Sequence, residues 1–231
     1  DPRMQRLFAL LLVVIASLLS GCANVQRMPW ESDSAQVAPQ KKAVYLMTAT
    51  IRNAYKELYQ PELLLIHVFR DDGTAQPTEI PFQMDSKGIY KGEKGDQPPK
   101  YFIRLELEPG MYTVRGMFAR GHSFPFAAHF FVPLHSPLKV ENVGIAYLGS
   151  VQATVRERVG EEFRAGAVIP LVDQAVGGAS TGTFDVVIAD RFDDDLAQFR
   201  KLFPGLGQQP VTRSMLPPFD RAKAQAWWQA N

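Results

Sequence analysis

The chain has 231 residues, of which 25 are Lys or Arg and 24 are Asp or Glu, so its formal net charge is +1. A dedicated nucleic-acid-binding protein carries a clear basic surplus, and this balance therefore argues against a nucleic-acid partner. Hydrophobic residues make up 46% and charged residues 21%, which excludes a disordered chain and indicates a globular domain. The length accommodates one large domain or two small ones.

The N-terminus has the organisation of a secretory signal peptide. Met4 and the basic Arg6 precede an uncharged apolar run over residues 7–19. This run is shorter than the roughly 20 apolar residues that a membrane-spanning helix needs, and it fits the apolar region of a signal peptide. We therefore predict a signal peptide over residues 4–21, which is a targeting segment and not part of the fold.

The end of the apolar run resembles the lipobox of bacterial lipoproteins. It reads Leu19-Ser20-Gly21-Cys22 and contains the only cysteine of the chain. In lipoproteins the small residues admit the signal peptidase and the cysteine receives the lipid. The resemblance implies a mature protein that begins at lipidated Cys22, whose acyl chains contribute about 0.8 kcal/mol per buried CH₂. Because Ala23 follows, where an Asp would favour the inner membrane, the expected location is the outer membrane with the domain facing the periplasm.

The segment after the lipobox has the composition of a tether. Residues 22–41 are polar, contain Pro29 and Pro39, and show neither the period of a strand nor that of a helix. We predict a flexible tether here, with Trp30 on the membrane interface or on the domain surface. One cysteine cannot form an internal disulfide, so the stability of the domain has to come from its core.

From residue 42 onward, the chain consists of short runs suited to strands. These runs cover residues 43–51, 62–69, 101–108, 112–118, 124–132, 145–156, 163–171 and 183–189. Pro109-Gly110 lies between the two runs with the clearest alternation and predicts a hairpin turn, with Gly110 at positive φ. About eight strands at this spacing predict an antiparallel β-sandwich over residues 42–191.

The C-terminal segment, residues 192–231, is where helical periodicity occurs. Three acids precede an apolar stripe formed by Leu196, Phe199 and Leu202. This pattern predicts a helix over 194–203, and a second short helix is predicted over 220–229. The first helix should pack on the sandwich, because an isolated helix of about ten residues is marginal in water. Residues beyond 207 are expected to add little stability.

Part of the strand region resembles a known type of domain. Residues 102–114 (FIRLELEPGMYTV) resemble the strand, Pro-Gly turn, strand signature of bacterial β-sandwiches of the transthyretin or carboxypeptidase-regulatory type. Residues 140–149 are similar to the following segment in several bacterial lipoproteins of unknown function. The resemblance implies that Tyr112 and Val114 point into the core. It concerns packing and transfers no catalytic residue.

One short motif matches a hydrolase pattern. Residues 178–182 read Gly-Ala-Ser-Thr-Gly, which would make Ser180 a nucleophile. The nucleophile elbow needs a helix after the serine and a histidine later in the chain. A strand is predicted to follow, and the last histidine, His135, lies upstream. A loop between two strands is therefore the preferred interpretation, and we predict no catalytic residue.

Histidines and acids offer the remaining candidates for a site. The four histidines lack the short spacings of zinc ligands, and we retain His122, His129 and His135 as ligand or partner candidates if the fold brings them together. Four acids could hold calcium, namely Asp190, Asp193, Asp194 and Asp195. The calcium-loop pattern is missing, and capping of the following helix explains these acids more simply. We predict no metal and no cofactor.

An aromatic segment is the last candidate for a binding surface. Residues 124–131 contain four phenylalanines, and Pro125 and Pro133 favour an edge strand there. Burial in the core is preferred over a docking edge.

The predicted function is a lipid-anchored periplasmic lipoprotein that acts as a binding or scaffolding module in the bacterial cell envelope, with another envelope protein as its partner. Two alternatives remain. One is an envelope hydrolase whose histidines and acids converge in the fold. The other is a small-ligand or glycan binder, which would need Trp or Tyr side chains lining a groove.

Overall fold

The computed structural model describes residues 25–32, 41–92, 97–141, 143–167 and 175–231. They form two β-sheets with two short helices at the C-terminal end. The strands are β1 Ala43–Asn53, β2 Glu62–Asp71, β3 Thr78–Gln83, β4 Ile89–Tyr90, β5 Lys100–Leu107, β6 Gly110–Ser123, β7 Phe126–Val140, β8 Gly144–Glu157, β9 Gly182–Ala189 and β10 Val211–Arg213. The helices are α1 Phe192–Leu202 and α2 Arg221–Ala230. The prediction of a mainly β sandwich with short C-terminal helices is confirmed.

The two sheets differ in strand direction. Sheet A has the order β3-β2-β6-β7 and is antiparallel throughout. Sheet B has the order β10-β8-β1-β5-β4, with β9 also beside β8. In sheet B, β1 and β10 both run parallel to β8, two pairings that the predicted antiparallel arrangement did not include. Along the chain, β1 and β8 are separated by strands of both sheets, so no tight hairpin joins them and they are free to run parallel.

The predicted hairpin at Pro109-Gly110 is wrong in its pairing. β5 lies in sheet B beside β1 and β4, whereas β6 lies in sheet A between β2 and β7. The turn therefore carries the chain across the core from one sheet to the other. Tyr112 and Val114 are buried in the core as predicted, and the Tyr112 hydroxyl donates to the Glu108 carbonyl at 2.8 Å. Inward apolar residues suit a hairpin and a sheet-to-sheet turn equally, so the alternation could not distinguish the two.

Gly110 adopts a positive φ in this turn, as predicted. Its φ is 155°, a value that side chains with a branched Cβ rarely adopt. Gly110→Val should lower the free energy of unfolding by about 1 kcal/mol or more, because a β-branched residue has to distort the turn. Denaturant unfolding measures the effect. Gly92→Val is the control, since a Cβ there meets open space, and equal midpoints for the two variants would contradict the prediction.

The predicted strand over residues 163–171 is wrong where the structure describes it. Residues 163–167 form no strand. Phe163 and Ala165 are nevertheless buried, which explains the apolar pattern. Ala165 accepts a hydrogen bond from the Phe131 amide of β7 and donates one to the Gly182 carbonyl of β9, both at 2.8 Å. This segment thus connects the two sheets at one edge instead of extending either of them.

The outer face of sheet B is covered by α1 and the turn that follows it. The apolar stripe of α1 packs onto sheet B, where Phe199 is fully buried with its ring centroid 4.9 Å from that of Phe102. The packing predicted for this helix is confirmed. Arg104 of β5 is also fully buried beneath this layer. Its guanidinium pairs with Asp85 and lies 4.0 Å from the ring centroid of Phe203.

Residues 25–32 pack against the sandwich, which differs from the tether predicted over 22–41. The Gln26 amide donates to the Pro81 carbonyl at 2.7 Å, and Gln26 accepts from the Gln83 amide at 3.0 Å, so the segment covers the edge of β3. Trp30 is buried in sheet B's outer cluster and lies on neither surface predicted for it. The polar composition of this segment indicated a free linker. The sequence could not show that the edge of β3 is exposed and needs hydrogen-bond partners.

The helix α2 closes the open edge of the sandwich between β7 and β9. Lys223 Nζ donates to a backbone carbonyl of β7 at 2.7 Å, and Arg221 Nη1 donates to one of β9 at 2.8 Å. Between them, Ala224 is buried in the main core. Residues beyond 207 therefore contribute to the core, which argues against the expectation that they add little stability.

Candidate functional site

The outer face of sheet A carries half-buried aromatic and basic side chains. Strand alternation directs one side of each strand into the core and the other side outward. The outward side chains include His67, Phe69, Arg115, Phe118, His129 and Phe131. We call this set the aromatic surface. Whereas α1 covers sheet B, the C-terminal half of α2 reaches over this face through Trp227.

Ring contacts join the strands of the aromatic surface. The rings of Phe118 and His129 stack with centroids 5.7 Å apart, and His67 meets Phe131 edge-on at 6.1 Å. Gly116 lies beneath the second contact. A Cβ on Gly116 would come within 2.7 Å of the Phe131 ring, so glycine is required for that ring to cross β6. The surface is thereby a packed layer and not a set of separate side chains.

Two consecutive tryptophans of α2 stand at the border of this surface. The Asp220 side chain caps α2 by accepting from the Lys223 amide at 2.9 Å. Arg221, in the first turn of α2, donates a hydrogen bond from Nη2 to the Glu162 carboxylate at 2.9 Å. These contacts fix the orientation of the helix, so that Trp227 faces Phe131 of β7 while Trp228 packs against the edge of the core.

Between α2, β7 and residues 163–167 lies a groove with a volume of about 430 Å³. Its lining is mainly apolar and includes Phe131, Pro133, Phe163, Arg164, Trp227 and Trp228. We call it the α2 groove. Ligand sites typically enclose about 300–1,000 Å³ and combine apolar walls with a few polar groups, and the α2 groove has both properties.

Two buried polar atoms lie against Trp227. His135 is 4.9 Å from the indole by ring centroids, and the guanidinium of Arg115 lies 5.6 Å from it and 3.8 Å from the ring of Phe69. Neither His135 Nε2 nor Arg115 Nε has a hydrogen-bond partner among the described residues. Burial, followed by the charges of Arg115 and Lys223, lowers the pKa of His135 to about 4. The imidazole is therefore neutral at pH 7.

The lowered pKa of His135 predicts a pH-dependent stability. The unfolded chain binds a proton on this residue as the pH falls through about 6.5, whereas the folded state stays neutral down to about 4. Stability should thus decline between these values, by about 1–2 kcal/mol from pH 7 to pH 5. His135→Asn should remove this part of the decline, and asparagine tolerates the φ of 46° found here. Urea unfolding at both pH values measures the difference. The exposed His122→Asn is the control, and an identical decline in all three proteins would contradict the assignment.

The three candidate histidines occupy separate environments. His122 is exposed near the tip of the β6–β7 hairpin, His129 stacks on Phe118, and His135 lies beneath Trp227. His67 pairs with Glu79 at the partly exposed border of β2 and β3. Across the described ranges, no group of three or more His, Cys, Asp or Glu side chains is arranged to hold a metal ion. The side chain of His135 lies next to the α2 groove, through its contact with Trp227.

The hydrolase-like motif forms a turn. Ser180 lies in a turn over residues 175–181 that leads directly into β9, and its carbonyl accepts from Arg164. No helix follows the serine, in agreement with the preferred interpretation as a loop.

The acids considered for calcium have two different environments. Asp190, Asp193 and Asp194 are exposed around the start of α1, where Asp190 accepts from the Phe192 amide at 3.0 Å. Asp195 is fully buried instead. Its carboxylate accepts from Thr48 Oγ1, the Tyr147 hydroxyl and Lys100 Nζ, each at 2.6 Å. The prediction that these acids cap the helix is therefore wrong for Asp195, whose hydrogen bonds join α1 to sheet B.

The aromatic segment of β7 is divided between the core and the surface. β7 is an edge strand of sheet A, as its prolines predicted. Phe130 is fully buried in the core and Phe131 lies on the aromatic surface. Phe126 and Phe124 are 45% and 89% exposed at the hairpin tip, so the preference for burial does not hold there.

Leu19, Ser20, Gly21 and Cys22 lie outside the described residues. No helix in the described part of the chain is long and apolar enough to cross a membrane. Comparison with known protein families, with curated proteins and with solved structures finds no match to this chain. The resemblance to lipoprotein sandwiches of the transthyretin type remains a prediction. Sequence reasoning placed Trp227 and Trp228 on a helix but gave no indication of the α2 groove, whose other walls come from distant parts of the chain.

Proposed function

We propose that this protein is a lipid-anchored binding module of the bacterial cell envelope, attached to the outer membrane through Cys22 and facing the periplasm. The α2 groove is the binding site. The observation that carries the proposal is the pair of indoles, Trp227 and Trp228, that line a groove of about 430 Å³ beside Phe131. Partly exposed tryptophans are enriched where proteins bind other molecules, because they combine a large apolar area with one polar N–H.

The short connection between the lipid and the domain supports a function at the membrane surface. Gln26 is already hydrogen-bonded to β3. Only three residues separate it from Cys22, and the four Cα–Cα steps between them span at most about 14 Å when fully extended. Lipidation at Cys22 would therefore hold the sandwich close to the bilayer. A ligand would be bound near the membrane and not at the end of a long tether, which suits a module that attaches an envelope component to the membrane.

The proposal is tested by photo-crosslinking in intact cells. A photoreactive phenylalanine analogue is placed at Trp228, in the α2 groove, or at Val187, which is 57% exposed on β9. Position 228 should give a discrete adduct with an envelope component, and position 187 should not. Trp227→Ala, combined with the analogue at 228, should weaken the adduct because it removes one wall of the groove. The same adduct pattern from both positions, or none from 228, would contradict binding through the groove.

The anchor has its own test. Cys22→Ser should abolish incorporation of a fatty-acid analogue and leave unprocessed precursor, because the lipid is transferred to the thiol. Metabolic labelling followed by gel electrophoresis measures both effects. Ser20→Ala keeps a small residue at the lipobox and is expected to be labelled normally. Equal labelling of the Cys22→Ser variant and the unmodified chain would show that the lipobox interpretation is wrong.

A further inference from the structure

Basic side chains surround both indoles of the α2 groove. The guanidinium carbons of Arg158 and Arg164 lie 5.5 Å and 5.9 Å from the ring centroid of Trp228. Arg115 approaches Trp227 to 5.6 Å. Guanidinium groups stack favourably on indole faces while their N–H groups remain able to bind an anion. The Trp228 indole therefore also positions Arg164, which is the arginine of these three that lines the groove.

The positive charge around the groove is only partly neutralised. Arg158 pairs with Glu161 at 3.6 Å. The other ion pairs of the described residues do not include Arg115, Arg164 or Lys223. Arg164 and Lys223 instead donate to the backbone carbonyls of Ser180 and His135, which carry no net charge. A ligand that brings negative charge to this site is favoured by charge complementarity.

We infer that the α2 groove binds an anionic sugar, an inference that rests on the proposed binding function. The apolar walls of the groove offer an area against which the C–H groups of a sugar ring can pack, and arginine forms paired, charge-assisted hydrogen bonds with a carboxylate. A sugar acid supplies both features in one residue. The ligand class is thus a carboxylated oligosaccharide, with Arg164, which lines the groove, as its carboxylate partner.

An extended acidic peptide fits the groove less well. Peptides commonly bind β-sandwiches by adding a strand to an exposed edge. The edge of β7 beside the groove already makes such a bond, because the Phe131 amide donates to Ala165 at 2.8 Å. A peptide would have to displace residues 163–167, of which Phe163 and Ala165 are buried. A sugar needs no main-chain partners and can use the groove as it stands.

Isothermal titration of the detergent-solubilised full chain tests the inference. The probes are tri-galacturonic acid, which is carboxylated, maltotriose, which is a neutral trisaccharide, and tri-glutamate. Saturable binding of tri-galacturonic acid is expected, at least about tenfold tighter than that of the other two. Arg164→Gln should weaken it by about tenfold, and Arg164→Lys should give a smaller loss, because the charge remains while the paired hydrogen bonds of the guanidinium are lost. Arg52→Gln, an exposed arginine of β1, is the matched control and should change nothing.

Each other result overturns the inference in a defined way. Equal binding of maltotriose, or full affinity in Arg164→Gln, would show that charge does not select the ligand. Tighter binding of tri-glutamate would assign the groove to acidic peptides. Absence of tri-galacturonic acid binding would overturn the sugar assignment while an adduct specific to position 228 in cells would still support the proposed function. Loss of that adduct would remove the proposed function itself.

Discussion

Asp195→Ala is expected to lower the free energy of unfolding by about 3–5 kcal/mol, the usual effect of removing one partner from a buried charged network. The Asp195 carboxylate is fully buried and accepts three hydrogen bonds, from Thr48, Tyr147 and Lys100. Alanine would leave these three donors without their acceptor and would leave the Lys100 ammonium without its counter-charge. Because Thr48 and Tyr147 belong to β1 and β8, the loss would also weaken the attachment of α1 to the centre of sheet B, where its apolar stripe would remain the main contact.

Urea unfolding at pH 7 measures this effect, with Asp194→Ala as the control. Asp194 is exposed on the same helical turn, so its replacement should change the free energy of unfolding by no more than about 0.5 kcal/mol. Tyr147→Phe should fall between the two, because it removes one of the three donors. Burial and the bond to Asp195 raise the pKa of Tyr147, so its hydroxyl is a donor at pH 7. Equal stability of the Asp195→Ala and Asp194→Ala variants would show that the network is not important for folding.

Ending the chain after Pro218, which removes α2, is expected to destabilise the whole sandwich. This helix buries Ala224 in the main core and bridges β7 and β9 through Lys223 and Arg221. Its loss would expose the core at the open edge of the sandwich, including Phe163, which is 2% exposed in the intact fold. The free energy of unfolding should fall by several kcal/mol, which in a chain of this size corresponds to a decrease in Tm of about 10 °C or more.

Thermal unfolding followed by circular dichroism tests the effect of the deletion. A shorter truncation that removes only Ala230 and Asn231 is the matched control, because both residues are exposed, and its Tm should change by no more than about 2 °C. Ala224→Arg places a charge in the same contact without shortening the chain and should also lower Tm. A protein without α2 that melts like the intact chain would show that the helix is an appendage of the sandwich.

Local sequence patterns identified most of the secondary structure. Short runs suited to strands predicted β1, β2, β5, β6, β7, β8 and β9. Alternation supported β5, β6 and β8 in particular, since a strand buried on one side needs an apolar residue at every second position. The same reasoning failed for residues 163–167, where apolar side chains are buried without a strand. It also missed β3, β4 and β10, which have only 6, 2 and 3 residues. A strand of so few residues is too short for a period of two to be recognised in its sequence.

The sequence by itself determined the class of fold, the two helices, the turn at Gly110 and the resemblance of its N-terminus to a lipoprotein, because each depends on residues adjacent along the chain. Tertiary structure decided which strands pair, since inward apolar residues suit either sheet. The strands on either side of the Pro109-Gly110 turn therefore lie in different sheets, which local patterns did not predict. It also decided the candidate site. The walls of the α2 groove come from β7, from residues 163–167 and from α2. Segments so distant in sequence meet only when α2 covers the open edge of the sandwich, and no local pattern encodes that contact.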